Sequence, residues 1–143
     1  MSKPVEREEI ISENDNQAIL STIIDSIDFS QINELHISKT MRGDVDFSIL
    51  KDKNITNIKA IYIENTGEIT SLFNIPDSVK ILHCSGHIIK NLGFLPKDIE
   101  EIDISHNIIN SFDANGLDKL THLNLANNEL KTLSKLPDSL EFL

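Results

Sequence analysis

A repeat of 20 or 21 residues is the feature that most restricts how this chain can fold. Successive segments start at residues 32, 58, 79, 99, 120 and 140, so the spacings are 26, 21, 20, 21 and 20 residues. Iteration at this length indicates stacked units that share one core. Apolar residues fill relative positions 1, 4 and 6 of the five complete units: Ile32, Leu35 and Ile37; Ile58, Ile61 and Ile63; Val79, Leu82 and Cys84; Ile99, Ile102 and Ile104; Leu120, Leu123 and Leu125.

Each unit is predicted to contain one short strand. Positions 4 and 6 are separated by a polar residue, as in Leu82-His83-Cys84, which is the period of a strand with one buried face. More apolar residues follow near positions 11 and 14, as in Ile109 and Phe112. A unit this short leaves no room for a full helix on the return path, so we expect extended or single-turn helical return segments.

Two of the units carry a known signature. Residues 120–130 are L-T-H-L-N-L-A-N-N-E-L and match L-x-x-L-x-L-x-x-N-x-L, and residues 99–109 match it with isoleucine for leucine. Residues 32–143 therefore resemble the leucine-rich repeat family, most of all the short repeats of bacterial effectors, protists and giant viruses. The tetrad Phe73-Asn74-Ile75-Pro76 also resembles the related FNIP repeats. The resemblance implies an α/β solenoid with short parallel strands on a concave face and a mostly extended or single-turn helical convex side.

Position 9 of each unit is predicted to carry a structural side chain. An asparagine there can donate and accept hydrogen bonds, and so can satisfy turn backbone that would otherwise be buried unpaired. Stacked units would form a ladder of such side chains. The family's asparagine is present only in the last two complete units. The predicted ladder is Thr40, Thr66, His87, Asn107 and Asn128.

The sequence divides into two predicted parts. Residues 1–31 form an N-terminal helical cap, and residues 32–143 form the array of five repeats and the start of a sixth. Apolar residues from Ala18 to Ile27 trace a helical stripe, so we predict a helix over about residues 15–27 that covers the first repeat. An amphipathic helix that binds a separate partner is the alternative. The longer first interval is predicted to hold one helical turn near residues 48–53.

Positions 3 and 5 of each strand point away from the core and are the candidate binding surface. The residues predicted to bind a partner there are Glu34, His36, Tyr62, Ile81, His83, Glu101, Asp103, His122 and Asn124, with Ala60 between them.

The sequence predicts no catalytic residues, metal or cofactor. The cluster of His83, Asp103 and His122 could in principle bind a metal or form an acid and base pair. However, no nucleophile with a base, Gly-rich phosphate loop or Cys/His ligand spacing accompanies it. Cys84 lies at core position 6 and is predicted to be a buried, inert thiol.

Charge restricts the class of partner. The formal net charge of −10 disfavours nucleic acid and anionic membranes, and among protein partners it favours a basic one. One cysteine and no signal-peptide pattern indicate a cytoplasmic, intracellular protein. Abundant Ile, Asn and Lys with only two Arg suggest an AT-rich genome, such as that of a virus or protist.

Two classes of function stay open at this stage. The first is a non-catalytic module or scaffold for protein binding. The second is the substrate-recognition part of a larger enzyme such as a ubiquitin ligase, with a structural viral component as a further alternative. The incomplete sixth unit, Leu140 to Leu143, also predicts a possible homodimer through an uncapped C-terminal end.

Overall fold

The computed structural model describes residues 13–65 and 67–142. It is an α/β protein with parallel strands in sheets and few helices. In chain order the elements are α1 (Glu13–Asp25), β1 (Glu34–Ile37), β2 (Gly43–Asp46), α2 (Ser48–Asp52), β3 (Ala60–Ile63), β4 (Ile69–Phe73), β5 (Ile81–His83), β6 (Glu101–Asp103), β7 (Ser111–Phe112), β8 (His122–Asn124) and β9 (Thr132–Leu133).

The five strands predicted from the repeat form one parallel sheet, which confirms that part of the prediction. Its order is β1-β3-β5-β6-β8, so strands of successive units are neighbours. The register keeps equivalent positions side by side, and each strand buries position 4 toward the core. These aligned core residues are Leu35, Ile61, Leu82, Ile102 and Leu123.

The return segments form a second layer that is mostly extended, as predicted. β2 pairs with β4 and β7 pairs with β9, both in parallel. The helical turn predicted near residues 48–53 is α2. Prolines open the turns that lead into β5, β6 and the sixth unit. The carbonyls of Pro76, Pro96 and Pro137 accept hydrogen bonds from the backbone N–H groups of Val79, Ile99 and Leu140, at 3.1, 3.2 and 3.1 Å.

Two apolar positions of the repeat are exposed. Ile32 was expected in the core but is 47% exposed, because it directly follows a turn closed onto the Asp28 carbonyl and no earlier repeat covers it. Leu133 is 42% exposed because β9 is the last strand of its two-stranded sheet. Both deviations lie at the ends of the array, where stacking gives one neighbour instead of two.

Helix α1 lies two residues earlier than predicted and packs against β2 and α2. Leu20 and Ile24 join the core from its apolar side. Asn16 is also fully buried, and it hydrogen-bonds to the backbone of β2 and of the residue before it. The helix therefore covers an edge of the second layer as well as the core of the first unit.

The turn after three strands has the same left-handed backbone. Gly86, His106 and Asn127 occupy position 8 of their units and have φ angles of 75°, 55° and 58°. A residue with a side chain rarely adopts this conformation, and glycine, asparagine and histidine are among those that do so most readily. The turn is followed directly by the position-9 residues of the predicted ladder.

Candidate functional site

The outward positions of the main sheet form one continuous surface, which we call the strand face. Position 5 of each unit lies beside position 5 of the next, and position 3 does the same, so the face has two rows that run across all five strands. All of the predicted partner-binding residues lie in these rows. The position-5 row is His36, Tyr62, His83, Asp103 and Asn124, and the position-3 row is Glu34, Ala60, Ile81, Glu101 and His122, of which Ala60 is buried.

Aromatic and acidic side chains are in contact along four of the strands. The ring of His36 stacks on Tyr62 with centroids 4.7 Å apart, and Tyr62 meets His83 edge-on at 5.1 Å. Glu34 bonds to His36 at 3.0 Å, and Glu101 bonds to His83. The sequence predicted that these residues share a face, and the structure joins them into an uninterrupted chain of contacts.

The strand face carries negative charge without a permanent cation. Three carboxylates, Glu34, Glu101 and Asp103, lie in its two rows, and neither row contains lysine or arginine. The pKa of Tyr62 is raised, first by partial burial and then by the charges of Glu34 and Glu101. The negative potential therefore reaches the middle of the face.

Asp103 and Asn124 also stabilise the turns that follow their strands. Asp103 Oδ1 accepts hydrogen bonds from the backbone N–H and the hydroxyl of Ser105, at 3.1 and 2.7 Å. Asn124 Oδ1 accepts one from the N–H of Ala126 at 3.0 Å. These contacts hold the turns that follow β6 and β8, so both residues belong to the fold as well as to the face.

The C-terminal part of the face contains a residue that sequence reasoning missed. Phe142 stacks on His122 with ring centroids 4.6 Å apart, and the N–H groups of Glu141 and Phe142 both donate to the Thr121 carbonyl. The signal was present, because Phe142 occupies position 3 of the sixth unit. Phe142 and His122 border a shallow depression of about 370 Å³ that also reaches His83, Glu101, Asp103 and Asn124.

Three of the predicted ladder residues make equivalent hydrogen bonds to turn backbone. Asn107 Oδ1 accepts from Ile89 N–H at 2.9 Å, and its Nδ2 donates to the Cys84 carbonyl at 3.0 Å. Asn128 Oδ1 accepts from Ile109 N–H, and His87 Nδ1 accepts from Ile69 N–H, at 2.9 and 3.2 Å.

The remaining two predicted ladder residues are Thr40 and Thr66. Thr40 is exposed, so its predicted ladder role is wrong. The first unit instead receives its polar contacts to turn backbone from Asn16 of helix α1. Thr66 lies outside the described residues.

A hydroxyl–histidine contact and a buried thiol lie at or near the strand face. Thr121 Oγ1 lies 2.8 Å from His122 Nδ1 and 3.1 Å from the Glu100 carbonyl oxygen. Burial raises the pKa of the Cys84 thiol far above its usual range, which keeps it protonated. Within the described ranges no group of three or more His, Cys, Asp or Glu is placed to hold a metal ion.

Phe94, in the loop after the third return segment, is 96% exposed on the opposite layer. The repeat pattern has no apolar position there, so sequence reasoning gave no reason to single it out. Single exposed apolar side chains are common on protein surfaces. The strand face, where many contacting polar and aromatic groups converge, is the stronger candidate site.

Comparison with protein-family models, curated proteins and solved structures gave no match. Over residues 13–65 and 67–142, helices are too short or too polar to cross a membrane.

Proposed function

We propose that this chain is a short leucine-rich repeat array that acts as a non-catalytic protein-binding module. Its partner docks on the strand face, which is the concave side of the solenoid. The observation that carries the proposal is the alignment of equivalent outward positions across five parallel strands, which makes one continuous surface of side chains from five units.

The composition of this surface supports a protein ligand. Histidine, tyrosine and phenylalanine rings present broad contact area at a low cost in side-chain entropy, and the carboxylates beside them can fix orientation. Tyr62 and His83 lie near the middle of the face, where binding energy is usually concentrated in protein interfaces. Their ring contacts hold them in place before a partner arrives.

Site-directed photo-cross-linking tests this proposal. A benzophenone side chain at Ile81 would sit on the strand face, and the same group at Ile88 would sit in a return segment, where the native side chain is 43% exposed. We expect extract of the source cells to give a discrete protein adduct from Ile81 and none from Ile88. Mass spectrometry of the adduct identifies the partner.

Two single substitutions link the adduct to the face. Tyr62→Ala and His83→Ala should remove the Ile81 adduct while the thermal melt stays within a few degrees of the wild type. An adduct obtained only from Ile88, or an Ile81 adduct that survives both substitutions, would place binding on another surface. Absence of any adduct from a folded protein would remove the proposal.

A further inference from the structure

We infer that the strand face accepts a basic, Lys- or Arg-rich segment of its partner and that His36, His83 and His122 make this docking dependent on pH. The inference rests on the proposed function, because it names the partner chemistry and the regulation of the same surface. It starts from how the face balances its own charge.

All charge compensation within the two rows comes from histidine. Glu34 is bonded to His36 and Glu101 to His83, and His122 lies next to Glu101 in the register of β6 and β8. Asp103 is bonded only to the neutral Ser105 through its Oδ1. Histidine is the side chain whose charge ordinarily changes between about pH 5 and 8. The three carboxylates therefore have no cationic partner on the face while the imidazoles are neutral.

The residues that precede the strands do not alter this balance. They include two lysines and two glutamates, and the Lys80–Glu100 pair is closed at 3.3 Å. The remaining two are Lys59 before β3 and Glu141 at the sixth unit. Opposite charges thus cancel along this border. Past the other ends of the strands lie Lys39 and Glu64, again one charge of each sign, and His106. A cationic segment lying across the strands would meet Glu34, Glu101 and Asp103 in turn.

The aromatic groups strengthen the match to a basic side chain. Phe142 is 60% exposed and borders the depression that Glu101 and Asp103 line. A lysine or arginine there can place its apolar stem on the ring and its charge near the carboxylates. The depression of about 370 Å³ is large enough for one such side chain rather than for a folded element.

Acidification changes the charge of the face through its three histidines. Protonated His36 and His83 become the ionic partners of Glu34 and Glu101, and protonated His122 adds a positive charge beside Glu101. Three negative charges are then offset by three positive ones, so a basic segment loses its attraction and is displaced.

Fluorescence anisotropy with a labelled hexa-arginine peptide is the test. We compare the wild type with a triple variant of the face (Glu34→Gln, Glu101→Gln, Asp103→Asn) and a control triple variant with the same net charge (Asp77→Asn, Asp118→Asn, Glu129→Gln). The control carboxylates are exposed and lie off the strand face. Asn at position 103 keeps the side-chain oxygen that accepts from Ser105. Circular dichroism at each pH verifies that every variant is folded.

At about pH 7.5 we expect the face variant to weaken binding about tenfold and the control variant by less than about twofold. Equal losses in the two variants would mean that the peptide senses only the overall acidity of the protein, and would overturn the inference. A loss of peptide affinity in the face variant but not in the control variant supports the inference.

The pH arm uses a third variant (His36→Gln, His83→Gln, His122→Gln). Between about pH 7.5 and about pH 5.5 we expect wild-type affinity to fall about tenfold and the affinity of this variant to change by less than about twofold. An unchanged pH dependence in the variant would overturn the role of the histidines.

The two proposals can fail separately. If Ile81 gives a protein adduct but the protein does not bind hexa-arginine, the binding function is retained and the basic partner is rejected. Loss of both signals would reject the docking surface itself.

Discussion

His87 and Asn107 make the same pair of hydrogen bonds one repeat apart. Each accepts from a backbone N–H 18 residues earlier in the chain, and each donates to a carbonyl 23 residues earlier. An imidazole thus replaces an asparagine amide in both of its roles. The replacement works only for neutral histidine with the proton on Nε2, because Nδ1 has to accept.

The first prediction is that His87 makes stability dependent on pH. Its pKa is lowered, mainly by burial, so the unfolded chain takes up the proton more readily than the folded one. The stabilising contribution is complete above the unfolded pKa of about 6.5 and is lost as the pH falls below it. Urea unfolding between about pH 8 and about pH 5 should therefore give a steeper decline for the wild type than for His87→Asn.

Every other titrating group is shared by the two proteins, so the difference between the slopes isolates His87. Asparagine at this position can make the bonds that Asn107 makes. Equal slopes would show that His87 keeps its ordinary protonation behaviour in the folded protein.

The second prediction concerns a gradient along the ladder. Asn107 is buried and its Nδ2 lies within 3.1 Å of three carbonyl oxygens, those of Cys84, Ile104 and Ser105. Asn107→Ala should lower the free energy of unfolding by about 1 to 3 kcal/mol, since it strands buried backbone groups. Asn128 is only half-buried, so Asn128→Ala should cost less because water can replace part of the loss.

Thr40→Ala provides the matched control for the ladder. Its side chain is exposed, and we expect a change within about 0.5 kcal/mol. Chemical denaturation of the three variants measures the gradient. A cost for Thr40→Ala as large as that for Asn107→Ala would contradict the assignment of polar contacts in the first unit.

The third prediction compares one substitution at two depths. Leu123 is 2% exposed in the centre of a strand, whereas Leu133 is 42% exposed on β9. Leu123→Ala should destabilise the protein by about 2 to 5 kcal/mol through lost burial and a cavity. Leu133→Ala should cost less than about 1 kcal/mol, because water already reaches the side chain. Thermal melts that rank the two substitutions the other way would reject the assigned core.

The repeat predicted the main sheet because its information is local and iterated. Position 4 points inward in every strand, and five consistent examples fix the register of all strands. The same argument placed His36, Tyr62 and His83 on one face. Ile32 was misassigned for a physical reason: the repeat pattern assumes a neighbour on both sides, and the first unit has a helix and turn on one side.

Contacts made by irregular segments could not be predicted from the repeat. Phe142 reaches His122 only because the chain continues past the last complete unit and pairs with Thr121. Asn16 is a polar residue on the apolar side of α1. No local sequence pattern predicts that it contacts backbone 26 residues further along the chain. Such pairings depend on tertiary placement, which a single sequence does not encode in its periodicity.

The last prediction tests that pairing. The side chain of Asn16 donates to the carbonyls of Arg42 and Asp44 at 2.6 and 2.9 Å and accepts from the Arg42 N–H at 3.2 Å. Its neighbour Gln17 donates to the Asp46 carbonyl at 3.1 Å. Alternate backbone groups along one edge of β2 are thus satisfied by α1, an arrangement that closes an otherwise open strand edge.

Asn16→Ala should therefore cost about 2 kcal/mol or more, because the backbone groups it leaves are covered by the helix and cannot be hydrated. Gln17→Ala should cost less, since Gln17 is half-buried and makes one such bond. Thr22→Ala, on the exposed side of the same helix, controls for helix propensity.

Hydrogen exchange adds a readout specific to this edge. The Arg42 N–H should exchange faster in Asn16→Ala than in the wild type. The Lys80 N–H, which is bonded to the Lys59 carbonyl at 2.8 Å, should keep the protection set by global stability. If Asn16→Ala and Thr22→Ala are equally stable and Arg42 exchange is unchanged, helix α1 does not close the edge of β2.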